Sequence, residues 1–342
     1  MSKPLKVAIV TNSRTGGGAE RAMNTLVREL SQNAKFELLL IPINSGPDDL
    51  IDPKCRIIGI ERTWRGSPLD GVKSYIRFQR VIHRFNPDVV ILNCDLPEFL
   101  FAFTISKANV IIVEHSTKSW KTRPFIGKLI WLSLRWRTSA VVRVSSRIII
   151  RSPEPKVDLV ISNPLPSEIV SGNRIERDSQ NVRLAFIGRL SEEKDPRLFC
   201  EIAAKSTLHS ILIGDGVMGS SLKELYPFFD WLGLVPNPWD LIGERDLLLL
   251  TSRYEGDGLV LLEAIANGIP VLARDTPDFR SFNLPEMNYF RDSQEALRKI
   301  NQHTTKENNF QLTRDLTESL LNSRNPKRIA DDWSTLILSV CQ

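Results

Sequence analysis

The chain has little of what builds metal centres or disulfide frameworks. Its four cysteines (Cys55, Cys94, Cys200, Cys341) form no CxxC pair, and its four histidines (His83, His115, His209, His303) stand far apart. This argues against a structural zinc site, an iron–sulfur cluster, a histidine-cluster centre and a disulfide-stapled fold, and it suits a reducing compartment. Mg²⁺ held by carboxylates stays open. No apolar run reaches the roughly 18 residues of a membrane-spanning helix. The opening MSKPLKVAIVTNS turns polar too early for a secretion signal and reads as a first strand. No repeat or low-complexity tract is present.

What is present is ordinary globular composition, 42 % hydrophobic and 25 % charged, over 342 residues, enough for two domains. The net charge of +5 is an average of unlike halves. Residues 1–160 hold 25 Lys/Arg against 14 Asp/Glu, a net of +11, whereas residues 161–342 carry a net of −6. An anionic lipid, an anionic nucleotide or a nucleic acid each suits the basic half.

Continuous apolar runs predict strands at Val7–Val10, Phe36–Ile41, Val89–Leu92, Val110–Val113 and Val141–Val144, with helices at Ala19–Leu30 and Val72–Phe85. Proline-rich punctuation at Ser152–Pro155 and Asn163–Pro166 precedes a second series. That series has strands Arg183–Ile187, Ser210–Ile213, Leu247–Leu250 and Pro270–Ala273, with helices Pro196–Ala204 and Leu259–Asn267. Strands alternating with helices predict two parallel-sheet α/β domains. The expected boundaries are 1–160 for the first domain and 161–320 for the second. A helical segment at 321–342 is expected to pack back on the first domain.

Five features carry candidate chemistry. The loop Gly16-Gly17-Gly18-Ala19-Glu20-Arg21 follows the first strand; it serves either a tight strand-to-helix turn or the approach of an anion to a helix start. It is neither GxGxxG nor GK[ST], so neither a dinucleotide fold nor a P-loop is supported there. Gly188-Arg189-Leu190 with Lys194 follows the first strand of the second domain, where a guanidinium fork and an ammonium suit a diphosphate, or simply solubilise the surface. Glu255 and Glu263 flank Gly256-Asp257-Gly258 and can accept hydrogen bonds from vicinal hydroxyls. His115 follows an apolar strand and is a cleft base or a loop-packing residue. Finally, Lys118–Arg143 contains seven basic residues and three tryptophans without a single acid. That mixture suits an anionic bilayer, or a core helix with a solvated basic face. It could also stack on nucleic acid, although no nucleic-acid module accompanies it.

Together these blocks resemble the retaining glycosyltransferases of family 4. The most specific match is LLLLTSRYEGDGLVLLEAIANGIPV at residues 247–271, and GGGAER, Gly188–Lys194 and Gly214-Asp215-Gly216 stand in the family's order. The resemblance implies a GT-B fold, two Rossmann-like domains facing each other across a cleft. It implies a hexosyltransferase that moves a hexose or N-acetylhexosamine from a nucleotide diphosphate sugar to a glycan or lipid-linked glycan hydroxyl. A UDP-sugar is favoured over a GDP-sugar, with neither metal nor other cofactor.

By the same resemblance Arg189 and Lys194 hold the diphosphate, Gly17 and Gly18 lie against phosphate or sugar, and Glu263 binds the ribose. Glu255 contacts the donor sugar near His115, while Gly214, Gly258 and Leu259 complete the donor site. The leaving phosphate deprotonates the acceptor, so His115 and Glu255 orient or stabilise. On the acceptor side, Trp120, Lys121, Arg123, Trp131, Arg135 and Trp136 are expected to dock on an anionic membrane. The expected location is cytoplasmic, peripheral on the inner face of the plasma membrane, in lipopolysaccharide, O-antigen or capsule synthesis, with no nucleic-acid partner. The competing readings are another GT-B enzyme, such as a nucleotide-sugar epimerase or a phosphorylase, and a nucleic-acid- or anion-binding protein. Three departures from the family pattern are visible. Pro164 replaces the Gly that usually follows Asn163, the connection 145–161 is short, and Thr276-Pro277-Asp278-Phe279 replaces a Gly-Gly contact.

Overall fold

The computed structural model describes residues 3–13, 17–44, 55–62, 68–115, 120, 123–166, 182–305 and 312–342. The chain divides into two compact units, residues 1–166 with 324–342, and residues 167–323. The divisions fall at Pro166 and Ser323, not at 160 and 320.

Unit 1 contains β1 (Leu5–Thr11), α1 (Gly18–Leu30), β2 (Phe36–Pro42), β3 (Arg56–Ile57), α2 (Pro68–Phe85) and β4 (Val89–Asn93). It continues through α3 (Asp95–Ala102), β5 (Asn109–Glu114), α4 (Pro124–Leu134), β6 (Thr138–Arg143) and β7 (Asp158–Val160). Unit 2 contains β8 (Arg183–Ile187), α5 (Pro196–Ala203), β9 (His209–Ile213), α6 (Gly219–Leu225), β10 (Asp230–Gly233) and β11 (Leu247–Leu250). It ends with α7 (Leu259–Ala266), β12 (Val271–Arg274), β13 (Tyr289–Phe290), α8 (Ser293–Thr305) and α9 (Arg314–Asn322). Helix α10 (Pro326–Ser339) returns to unit 1.

All the pairings are parallel, in the orders β3-β2-β1-β4-β5-β6-β7 and β10-β9-β8-β11-β12-β13. The continuous apolar runs explain this, because each central strand is covered on both faces. Val7 and Ile9 enter one core with α1 and α10, whereas Ala8 and Val10 enter the other with α2, α3 and α4. Trp333, Leu336 and Ile337 fix α10 in the first of these cores. The strands not expected from the sequence, β3, β7, β10 and β13, are outer strands of four residues or fewer. Runs that short carry no readable period.

Both sheets reverse direction beside their first strand, between β1 and β4 and between β8 and β11. In such sheets the carboxyl ends at the reversal form the ligand crevice. Thr11 and Asn93 end the strands at the first reversal, and Arg189 and Glu255 follow those at the second.

Candidate functional site

In unit 1, Thr11 and Asn93 end the two strands at the reversal and lie opposite each other. Asn93, fully buried, donates through Nδ2 to Thr11 Oγ1 at 3.2 Å. Its Oδ1 lies 2.5 Å from Nε2 of His115, the residue after β5. Burial pulls the His115 imidazole down to about 4, so the ring is neutral at physiological pH. Glu114, the residue before His115, bonds Arg151, which also grips Glu98 with two bonds of 2.7 and 2.8 Å. One cation thus serves two buried carboxylates, and burial holds Glu98 up to about 7. Gly17 and Gly18 open α1. The Gly17 N–H already donates to Glu20 Oε2 at 3.0 Å, so an anion at this helix start competes with the chain's own cap. Gly16 and residues 14–15 lie outside the described residues.

The edge of unit 2 is charged. Lys194 Nζ meets Glu255 Oε1 at 2.6 Å, joining the two blocks that the sequence places 61 residues apart. Thr251, just past β11, donates to the Lys194 and Asp195 carbonyls, which anchors the lysine's backbone to the strand exit. Asp195 adopts φ +48° and is held by Arg253 and Arg274 at 2.9 and 3.1 Å. Glu255 also accepts from Ser252 Oγ at 2.8 Å, and its N–H donates to Asp278 at 2.6 Å. Arg189 is exposed beside this group in sequence, between Gly188 and the buried Leu190. Glu263 is set apart: it is 2 % exposed on α7, and the Trp239 indole donates to its Oε2 at 2.9 Å. Gly258 caps α7 at φ +64°, where a Cβ would strike the Phe282 ring, and Leu259 begins the helix.

Residues 214–219, GDGVMG, have the GxGxxG spacing, but they follow the second strand of this unit. A Cβ on Gly214 would sit 1.9 Å from the Gly188 carbonyl oxygen, and one on Gly216 would sit 2.4 Å from that of Leu190. These glycines therefore let two turns of the chain touch, a structural use of the motif.

The basic segment needs correction. Trp131 is 3 % exposed in the core, its indole donates to the Pro153 carbonyl at 3.0 Å, and Arg151 lies over its ring. Trp120 packs partly buried against the same core and closes over Gly127. An i, i+3, i+4 apolar helix must bury one side, and Trp131 falls on it, with Gly127, Ile130 and Leu134. Lys121 and Lys118 lie outside the described residues. Arg123 is exposed, and Arg135 stacks on the exposed Trp136 at 4.3 Å. The outward face of α4 instead presents Phe125, Leu129 and Lys128. Phe99 and Phe103 at the end of α3 are exposed as well, and Ser133 ties α4 to α3 through the Ala102 carbonyl. No helix of the described residues is long and apolar enough to cross a membrane, and none of their His, Cys, Asp and Glu side chains groups in threes for a metal.

Sequence reading missed Asn93, Ser252, Asp278 and Trp239. Asp278 was detectable as an acid in a Thr-Pro-Asp helix start, whereas Asn93, a single amide closing the apolar run VVIL, reads only as a strand end. Trp239 gave no local signal, because its partner lies 24 residues on.

A family profile described as glycosyl transferases group 1 matches residues 173–307. The chain is 23 % identical over 285 residues to the UDP-Gal:alpha-D-GlcNAc-diphosphoundecaprenol alpha-1,3-galactosyltransferase of Escherichia coli, covering 71 % of this chain and 73 % of that one. It is 25 % identical over 287 residues to a Campylobacter jejuni GalNAc-alpha-(1->4)-GalNAc-alpha-(1->3)-diNAcBac-PP-undecaprenol alpha-1,4-N-acetyl-D-galactosaminyltransferase, covering 76 % and 77 %. Among solved structures, Anabaena Alr3699/HepE in complex with UDP and glucose matches with a TM-score of 0.75 at 18 % identity, over 98 % of this chain and 100 % of that one. The fold is GT-B, and the chain is an enzyme, a glycosyltransferase.

Proposed function

We propose that this enzyme transfers a hexose or N-acetylhexosamine, with retention, from a nucleoside diphosphate sugar to a hydroxyl of a lipid-linked glycan in surface polysaccharide synthesis. The observation that carries this reading is the Lys194–Glu255 pair at the reversal edge of unit 2, inside the matched glycosyltransferase domain and next in the chain to Arg189. In the reaction the bond from the anomeric carbon to the diphosphate oxygen breaks and the bond to the acceptor oxygen forms. The acceptor proton passes to the departing diphosphate. Lys194 and Arg189 compensate the charge that grows on the leaving group, the role that fixed cations fill most effectively, and no metal ion is needed. Glu255 and Glu263 accept hydroxyl hydrogens of the sugar and the ribose, and His115 lies against the sugar. Gly17 and Gly18 border the phosphates, and Gly214, Gly258 and Leu259 shape the donor site.

Uridine is the favoured base. The E. coli relative is named for UDP-Gal and the Anabaena structure holds UDP. The undecaprenol-linked acceptors in the relatives' names support a lipid-linked acceptor reached at the inner face of the plasma membrane. The outward apolar and basic face of α4, with Arg123, Arg135 and Trp136, is the proposed contact with anionic lipid.

A panel of UDP-, GDP- and dTDP-sugars offered with a polyprenyl-diphosphate glycan, with and without EDTA, tests the reading. The expected result is one UDP-sugar consumed, equimolar UDP released, and an α-linked product insensitive to EDTA. Sugar interconversion without a new glycosidic bond overturns transfer, and a GDP-sugar preference overturns the base.

A further inference from the structure

We propose that Thr11 and Asn93 are positioning residues that hold His115 as a neutral Nε2–H imidazole, leaving Nδ1 as a lone-pair acceptor for a substrate hydroxyl. The proposal rests on the reading of this edge as part of a sugar-transfer site, and it assigns the histidine a hydrogen-bonding sense.

The argument is an accounting of donors and acceptors along three neighbouring strands. The Ser13 carbonyl can only accept, and Thr11 Oγ1 donates its one hydrogen to it at 3.4 Å. Thr11 Oγ1 is thereby left as the acceptor for Asn93 Nδ2, at 3.2 Å. With its amide nitrogen committed, Asn93 turns Oδ1 toward His115 Nε2 at 2.5 Å, and an acceptor oxygen there requires that Nε2 carry the hydrogen. Burial keeps the ring neutral, so Nδ1 is unprotonated. Among the described residues Nδ1 has no hydrogen-bonding partner.

A neutral acceptor nitrogen repels a phosphate oxygen and binds an O–H. The relay thus directs His115 to a hydroxyl of the donor sugar and away from a phosphate oxygen. The strands enforce the geometry: Thr11 pairs with Asn93 in register, and Asn93 pairs with Val113, two residues before His115.

The test is long-range ¹H–¹⁵N correlation of the full chain labelled at its four histidines, at pH 7 without ligand, with His115 identified by the loss of its signals in His115→Gln. The expected pattern is a protonated Nε2 and a pyridine-like Nδ1. Asn93→Leu and Thr11→Val should both shift His115 toward a mixture of tautomers, and the wild-type spectrum decides even if one variant fails to fold. A protonated Nδ1, or an imidazolium, overturns the proposal. A second arm uses the UDP-hexose selected by the donor panel and its monodeoxy analogues. His115→Phe should slow transfer from the parent sugar at least tenfold more than from one analogue; an equal penalty across every parent and analogue overturns the hydroxyl assignment. Sugar transfer with the wrong tautomer breaks this inference alone. The right tautomer in a chain that transfers no sugar breaks the functional reading.

Discussion

The two sheets share a strand order up to β7 and a reversal point, yet their carboxyl edges are chemically opposite. The edge of unit 1 runs through neutral groups, a hydroxyl, an amide and an imidazole pulled down to about 4, and the ion triad that includes Glu114, the residue before that imidazole, is itself buried. The edge of unit 2 carries charge to the surface, an ammonium 20 % exposed against Glu255, with an exposed guanidinium nearby in the chain. A parallel α/β sheet is indifferent to what its strand ends display. The difference teaches that one fold, used twice, can display unlike chemistry at the same edge. Net charge points the wrong way, since the positive half of the sequence holds the neutral edge.

The largest test of this contrast removes charge where it is buried. Arg151→Met leaves the Glu98 and Glu114 carboxylates without their cation, and unit 1 should lose about 3–5 kcal/mol in denaturant melts. The loss should shrink at pH 5, where the stranded carboxyls can take protons, compared with pH 8. A loss below about 1 kcal/mol at pH 8 would mean that the triad is incidental. The next test removes charge where it is displayed. Lys194→Met should lower the transfer rate about 10²–10³-fold, because a compensating cation acts chiefly on the leaving group, with a smaller loss of stability than Arg151→Met, because Glu255 keeps its Ser252 hydrogen bond. A variant with full turnover would place the diphosphate elsewhere.

A third test titrates the neutral edge. The His115 imidazole has a folded value of about 4 against an ordinary 6.5, so the unfolded chain binds the extra proton first as pH falls. His115 therefore subtracts stability below pH 6.5, progressively down to about pH 4, and leaves stability untouched above 6.5. Comparing wild type with His115→Gln isolates this slope from the opposing one of Glu98, whose raised value makes stability fall as pH climbs from 4.5 to about 7. For a partly exposed ring the difference should reach about 2 kcal/mol at pH 4. A pH-independent difference would show that the ring titrates normally, and the contrast between the edges would lose its neutral half.

The contrast was only partly legible in the sequence. Buried parallel strands advertise themselves as apolar runs, so every central strand, with α1 and α7, could be read directly. Outer strands such as β3 and β7 are too short to carry a pattern, and pairing with a neighbour makes them strands. Lys194 and Glu255 were legible as blocks, but not as a pair, because their 2.6 Å contact depends on β11 lying beside β8. Asn93 was hidden for the opposite reason: a single amide after VVIL looks like a strand end, and only the register with Thr11 gives it a task. Trp131 misled, because composition cannot say which side of a helix faces in.

That last error yields the smallest and most discriminating prediction. If the outward face of α4 meets lipid, burial should decide which aromatic residues matter. Replacing the exposed Phe125, Leu129 and Trp136 with Ser should weaken sedimentation with phosphatidylglycerol vesicles about tenfold and leave melting unchanged. Trp131→Phe should do the reverse, lowering stability by about 1–2 kcal/mol through the lost Pro153 bond and packing, with vesicle binding intact. Replacing Arg123 and Lys128 with Ser should cost binding only to anionic vesicles, by about 1 kcal/mol per charge, an effect that salt abolishes. Equal binding of wild type to phosphatidylcholine and phosphatidylglycerol would reject the electrostatic half of the proposal. Unit 1 would then be basic for a reason other than lipid.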